Sequence, residues 1–161
     1  MSVPELTGRL HAVGRVAILV SRYNELITTK LLEGARECCR DAGLADSAVD
    51  VIWVPGAFEL AAVAATAAET GSYAAIVALG AVIRGDTPHF DFVAGEAARG
   101  LGDVAVRYRT PVAFGVLTVD TMQQALDRAG GTAGNKGYEA AAAAIEAADV
   151  IARVRSADAA S

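Results

Sequence analysis

Two kinds of apolar pattern alternate along the chain: short continuous runs of strand length, and longer stretches in which apolar residues recur three and four positions apart. Val16-Ala17-Ile18-Leu19-Val20 is the first run. It ends in the polar Ser21-Arg22-Tyr23-Asn24, after which Leu26, Ile27, Leu31, Leu32, Ala35 and Cys39 follow helical spacing. Val49 to Val54 is a second strand, broken by Pro55-Gly56, and Phe58 to Thr70 is an alanine-rich helix with Gly71 as its stop. A third strand, Ala75 to Val82, leads into Ile83-Arg84-Gly85-Asp86. Thr87 then reads as a helix N-cap with Pro88 in the first helical position, opening a helix to about Leu101. The fourth strand, Pro111 to Leu117, ends at Thr118 and precedes a short helix from about Thr121 to Ala129. A glycine-rich loop, Gly130 to Asn135, joins it to a last helix, Gly137 to Arg155, whose Ala140 to Ala144 run is strongly helix-forming.

Strands that are apolar on both faces and alternate with helices predict a parallel sheet covered on each side, with right-handed crossovers. The expected fold class is α/β: a three-layer α/β/α sandwich with a four-stranded parallel sheet in flavodoxin-like winding. No linker divides the chain, which reads as an N-terminal arm (1–14), one α/β domain (15–155) and a C-terminal tail (156–161). Ligands of such sheets bind beyond the carboxyl ends of the strands, here the segments 21–24, 55–59, 82–89 and 114–118.

Composition narrows the function classes. With 161 residues the chain suits one domain, and 53% hydrophobic against 20% charged residues excludes disorder while leaving apolar surface for other copies to cover. A formal charge of −5 offers no basic stripe for nucleic acid or an anionic membrane, so an anionic substrate must be held by local groups. Met1 to His11 lacks the layout of a signal peptide and no run reaches the ~18 apolar residues of a membrane span, so a cytoplasmic location is expected. Adjacent Cys38 and Cys39 in a helical pattern read as packing residues. With only His11 and His89, no spaced Cys/His cluster offers a structural zinc site.

The segment Gly80-Ala81-Val82-Ile83-Arg84-Gly85-Asp86-Thr87-Pro88-His89-Phe90 combines a glycine turn, a helix start and an imidazole. Unpaired N–H groups and the helix dipole favour an anion there, with a phosphate docking at Gly85 to Thr87. A P-loop is rejected, because that motif continues with Lys-Ser/Thr where this chain has Asp86-Thr87. Asp86 fits a surface cap residue better than a catalytic carboxylate, and Thr87 fits both a cap and an anion contact. His89 lies close enough to the expected anion to move protons near neutral pH, although a lone histidine is more often structural. Glu59 is equally readable as a first-turn carboxylate, and Arg128 and Lys136 as solvated charges flanking the glycine-rich loop. Tyr23, Phe58 and Phe114 all fall at strand ends, where they serve either as stacking walls or as core.

Five segments in order, Val54-Pro55-Gly56-Ala57-Phe58-Glu59, Gly80 through Asp91, Phe114-Gly115-Val116-Leu117-Thr118, Gln124 through Gly130 and Gly134-Asn135-Lys136-Gly137, resemble the signature segments of the lumazine synthase family across roughly residues 8 to 155. The resemblance implies condensation of 5-amino-6-(D-ribitylamino)uracil with 3,4-dihydroxy-2-butanone 4-phosphate in riboflavin biosynthesis, without metal or organic cofactor. It implies that Tyr23 stacks on the pyrimidine with Asn24 beside it. Ala57 and Glu59 hold the ribityl chain, Phe58 shapes that pocket, and Val82 and Ile83 offer backbone groups. Gly85, Asp86 and Thr87 bind phosphate with Arg128, and His89 transfers protons. Phe114, Arg128 and Lys136 come from a neighbouring subunit. The family's stacking residue is usually phenylalanine or tryptophan, so Tyr23 departs from the pattern and its hydroxyl needs a partner. The resemblance further implies homopentamers, in some members closed into a 60-subunit icosahedral shell, with an N-terminal segment (here Glu5 to Leu10) adding a strand to a neighbour, and riboflavin synthase as a candidate partner. A non-catalytic flavin or lumazine binder of the same fold is the rival reading. A phosphoacceptor signalling domain is set aside, since Ser21-Arg22 and Arg84-Gly85 stand where it needs acidic residues.

Overall fold

The structure, a computed structural model, describes residues 5–159; residues 1–4 of the expected arm and 160–161 of the expected tail lie outside it. Four parallel strands, β1 (Val16–Ser21), β2 (Val49–Val54), β3 (Ala75–Ile83) and β4 (Val112–Val119), pair in the order β2-β1-β3-β4. The helices are α1 (Glu25–Asp41), α2 (Leu60–Glu69), α3 (His89–Tyr108), α4 (Met122–Arg128) and α5 (Lys136–Ala159). This is the three-layer α/β/α sandwich expected. Its strand order leaves the chain on opposite sides of β1 after β1 and after β2, placing the topological switch point between the ends of β1 and β3.

Period-two alternation divides the core. Val16, Ile18 and Val20 of β1, with Val77, Leu79 and Ala81 of β3, meet Ile27, Leu31 and Ala35 of α1 and Ala141, Ala144 and Ile145 of α5. Ala17 and Leu19, with Ile76, Ala78 and Val82, instead meet Leu60 and Ala64 of α2 and Leu101 and Val104 of α3. Both faces of β1 and β3 are therefore dry, as continuous apolar runs require. Each fully buried leucine or isoleucine contributes roughly 1.5–3 kcal/mol relative to exposure. Cys38 and Cys39 are free and buried in the first of these clusters, where loss of hydration pushes their thiols up to about 12 and about 11.

Four differences from expectation stand out. The helix opened by Thr87-Pro88 begins one residue later, with Pro88 as N-cap and His89 as first helical residue. The Thr87 hydroxyl still accepts the His89 N–H, at 3.4 Å. The same helix runs to Tyr108 rather than about Leu101, because Ala97, Leu101 and Val104 keep one face buried until Arg109 turns left-handed (φ 50°). Third, the expected loop 130–135 contains a small antiparallel hairpin, β5 (Ala129–Gly131) with β6 (Gly134–Asn135). Gly130 and Gly134 adopt φ of 102° and 82°, which side-chain-bearing residues rarely tolerate. α5 extends through Ala159, beyond the expected end at Arg155.

Before β1 the chain lies along its own α5. Arg9 donates from its backbone N–H and its guanidinium to Asp149, and Arg153 donates to the Thr7 carbonyl. Of the expected strand-adding segment, Gly8 and Arg9 are thus held against their own subunit. Among the described residues no helix is long and apolar enough to cross a membrane.

Candidate functional site

The strand ends build the site as the winding dictates. After β1, Arg22 and Tyr23 donate their N–H groups to the Val54 and Pro55 carbonyls at 2.8 and 3.0 Å, which ties this turn to the end of β2. Asn24 then adopts a left-handed conformation (φ 62°, ψ 46°) that asparagine tolerates better than most residues. Its amide donates to the Ala81 carbonyl at 2.9 Å, bridging β1's exit to β3 across the switch point. Asn24 does not line the cleft; it fixes the turn from which Tyr23 projects. Ser21 sits beneath, its buried hydroxyl beside Gly80 and without a hydrogen-bond partner among the described residues.

A cleft of about 800 Å³ opens over these ends. It brings together Tyr23, Ala57, Phe58, Glu59, Val82, Ile83, Gly85, Thr87 and His89 from the expected set. A 3₁₀ turn, Ala57–Glu59, carries its middle wall, with Ala57 buried, Glu59 half-buried and Phe58 exposed. Apolar walls with few polar groups suit a planar heterocycle. Tyr23 is 74% exposed and its hydroxyl has no hydrogen-bond partner among the described residues, so its side chain stands free at the cleft wall.

Phe90, Phe92 and Val93 also line this cleft and were not expected in it. Phe92 is 71% exposed, an unusual state for phenylalanine that nothing in the chain's own core explains. The signal was helical spacing: positions 89, 92 and 93 share a face of α3. Asp86 lies on the loop but outside the lining.

Phe114, Arg128 and Lys136 are elsewhere. They line a second cleft, of about 470 Å³, along β4, α4 and the start of α5, together with Thr118, Ala133 and Glu139. No residue is common to the two linings. β4 is an edge strand, so this cleft faces outward from the sheet. Lys136 is placed by Asn135, whose side chain donates to the Lys30 carbonyl at 3.0 Å and accepts the Gly137 and Tyr138 N–H groups, capping α5 and docking the hairpin on α1. Arg128 donates one N–H to the Gln124 carbonyl at 3.1 Å and keeps its others available.

The charge distribution is uneven. The first cleft's lining includes Glu59 and His89 but neither lysine nor arginine. Arg84, at its margin, pairs with Asp120 at 2.9 Å and Asp91 at 3.5 Å. The cations Arg128 and Lys136 are in the second lining. One chain thus presents an apolar-walled cleft with an imidazole beside a helix start, and separately a cationic cleft with an aromatic wall. Compared with known families, the chain matches the family model described as 6,7-dimethyl-8-ribityllumazine synthase over residues 14–152.

Proposed function

The chain belongs to the 6,7-dimethyl-8-ribityllumazine synthase family, enzymes of riboflavin biosynthesis, and from that premise we propose that its reaction site is assembled from the first cleft of one copy and the second cleft of the next. The observation carrying this reading is the separation of charge. A phosphate monoester seated at Gly85–Thr87 meets no free cation in the first lining, whereas Arg128 and Lys136 line a cleft at the open sheet edge.

In the proposed site Tyr23 stacks on the pyrimidine of 5-amino-6-(D-ribitylamino)uracil, and Asn24 holds its turn. Ala57, Phe58 and Glu59 surround the ribityl chain, with Glu59 accepting hydroxyl protons. Val82 and Ile83 present backbone groups to the ring. The phosphate of 3,4-dihydroxy-2-butanone 4-phosphate sits on the N–H groups of Gly85, Asp86 and Thr87, with the Asp86 carboxylate turned outward. Arg128 of the adjoining copy neutralises it, and Phe114 and Lys136 of that copy close the far wall.

The pyrimidine's 5-amino group attacks the ketone, and loss of one water gives an imine. Phosphate then leaves, and the ribitylamino nitrogen closes the second ring with loss of another water. His89 is positioned to carry protons between the nitrogen and oxygen atoms that gain and lose them, worth roughly 10²–10⁴ in rate. Holding two reactants together in one dry pocket is worth more, on the order of 7–11 kcal/mol in favourable cases. We propose a homopentamer as the smallest assembly that closes such head-to-tail contacts in this family. Light scattering distinguishes it from a 60-subunit shell.

The test is direct. Incubating the purified protein with both substrates, while following lumazine absorbance and fluorescence, is expected to show product formation that requires both. A folded, assembled protein that binds a lumazine but forms none would leave only the binder reading.

A further inference from the structure

We infer that Arg84 is a positioning residue for the phosphate-bearing substrate: its guanidinium fixes the loop 85–88 by bridging the end of β4 to the first turn of α3. This rests on the reading of that loop as the phosphate seat. The loop has little else to hold it. Residues 84–89 are exposed, and a Cβ on Gly85 would meet nothing within 4 Å. Among the described residues its backbone is pinned at the flanks, where the Arg84 N–H donates to the Val119 carbonyl at 2.8 Å and the Asp91 N–H to the Pro88 carbonyl at 3.0 Å.

Arg84 supplies the missing tie from one side chain. Its Nε donates to Asp120 Oδ1 at 2.9 Å, beyond the end of β4. Its Nη1 lies 3.5 Å from Asp91 Oδ1, and its guanidinium carbon lies 4.2 Å from the Phe90 ring centroid, both in the first turn of α3. The hydrogen bond to Asp120 leads the interactions that raise its pKa, with the charge of Asp91 adding to it. A planar fork that reaches two carboxylates and stacks on a ring is chemistry lysine cannot copy. Exposed ion pairs of this kind add little stability, so the consequence belongs to geometry: the loop's N–H groups stay aimed at one point, and two carboxylates beside an incoming dianion are partly neutralised.

Steady-state kinetics with each substrate varied in turn separate this from a structural role. R84Q is expected to raise KM for the butanone phosphate about tenfold, to leave KM for the pyrimidine within about twofold, and to leave kcat within about threefold. R84K is expected to behave like R84Q. D120A, which removes one arm and keeps the arginine, should raise the same KM about threefold, and R84Q/D120A should be no worse than R84Q. Calorimetric titration with inorganic phosphate reads the loop without turnover, and R84Q should weaken it by a similar factor. Recovery of wild-type KM by R84K, an equal rise in both KM values, or a fall in kcat alone overturns the inference. If the unaltered protein makes no lumazine, the reaction assignment falls, while weaker phosphate binding by R84Q still supports the role of Arg84.

Discussion

Consider a chain carrying both His89→Ala and Arg128→Ala, assembled in equal amounts with the unaltered chain. His89 lines the first cleft and Arg128 the second, and the two linings share no residue. Were each site formed within one chain, half of the sites would stay intact. Where a site takes its first cleft from one copy and its second from the next, an intact site needs two unaltered neighbours, so random mixing in a head-to-tail ring leaves about one quarter. The complementary mixture, of chains carrying only His89→Ala with chains carrying only Arg128→Ala, separates the cases further. A site within one chain would gain nothing, whereas shared sites would again be about one quarter intact. The background permits the measurement: His89→Ala alone is worth roughly 10²–10⁴ in rate. Loss of a charge-assisted phosphate contact at Arg128 costs about 1.5–3 kcal/mol, or roughly 10- to 150-fold at substrate concentrations below KM. The assay is lumazine formation by co-expressed, differently tagged chains purified through both tags. A single-variant mixture no more active than the mean of its two pure components refutes the shared site.

His89→Ala by itself should retain measurable turnover, because proximity remains, and complete loss in a folded, assembled variant would contradict that division of the rate. Gly137→Ala places a methyl group against the Leu31 carbonyl, 2.7 Å from its carbon, forcing α1 and α5 apart. A cost of about 1–3 kcal/mol is expected, seen as a fall in Tm of roughly 2–12 °C. Asp149 is held below the usual carboxylate range, first by the Arg9 side-chain hydrogen bonds and then by the Arg9 backbone N–H and the Arg9 and Arg153 charges. Its contribution is therefore complete above the unfolded value near 3.9 and is lost as pH falls through the lower folded value; protease protection of segment 7–12 should fall as the pH drops below about 4 in the unaltered protein and change less in D149N. Cys38 and Cys39 should resist a thiol reagent at about pH 8 until the protein unfolds, and rapid native labelling would refute their burial.

The sheet was legible because β1 and β3 are apolar on both faces, and a run such as Val16 to Val20 admits few other readings. The first cleft followed from the same runs, since its residues sit where they end. What escaped depends on contacts distant in sequence. The expected end of α3 near Leu101 falls beside Gly100, yet a Cβ on Gly100 would come 2.7 Å from Ala61 Cβ, so that glycine allows α2 and α3 to approach rather than ending a helix. The β5–β6 hairpin has no apolar alternation to betray it and exists through glycine backbone freedom and its docking on α1. Phe92 shared a helix face with His89 in the expected helix too, but that its ring stays exposed beside the cleft depends on what packs against α3, which spacing alone does not give. The division of the expected site residues between two clefts was carried by the family resemblance alone, because no local pattern reveals that β4 lies at the edge of the sheet.

That edge position gives the charge arrangement its meaning. Asp86 stands in the loop 85–88, Asp91 and Asp120 lie beside it, and Arg84 is already engaged by the latter two. A dianion arriving at this corner of a lone chain meets helix N–H groups but also an excess of carboxylate, and the favourable dipole, worth at most a kcal/mol or two, does not by itself overcome that excess. On the shared-site reading the deficit is met only when Arg128 arrives from a neighbour. Affinity for the phosphate-bearing substrate then becomes a property of the assembly, while the pyrimidine's cleft, with Tyr23, Phe58 and Phe92 on its walls, is present in every folded copy. Dissociating the copies without unfolding them should therefore weaken phosphate binding far more than lumazine binding, and parallel loss of both would mean that the neighbour supplies more than charge.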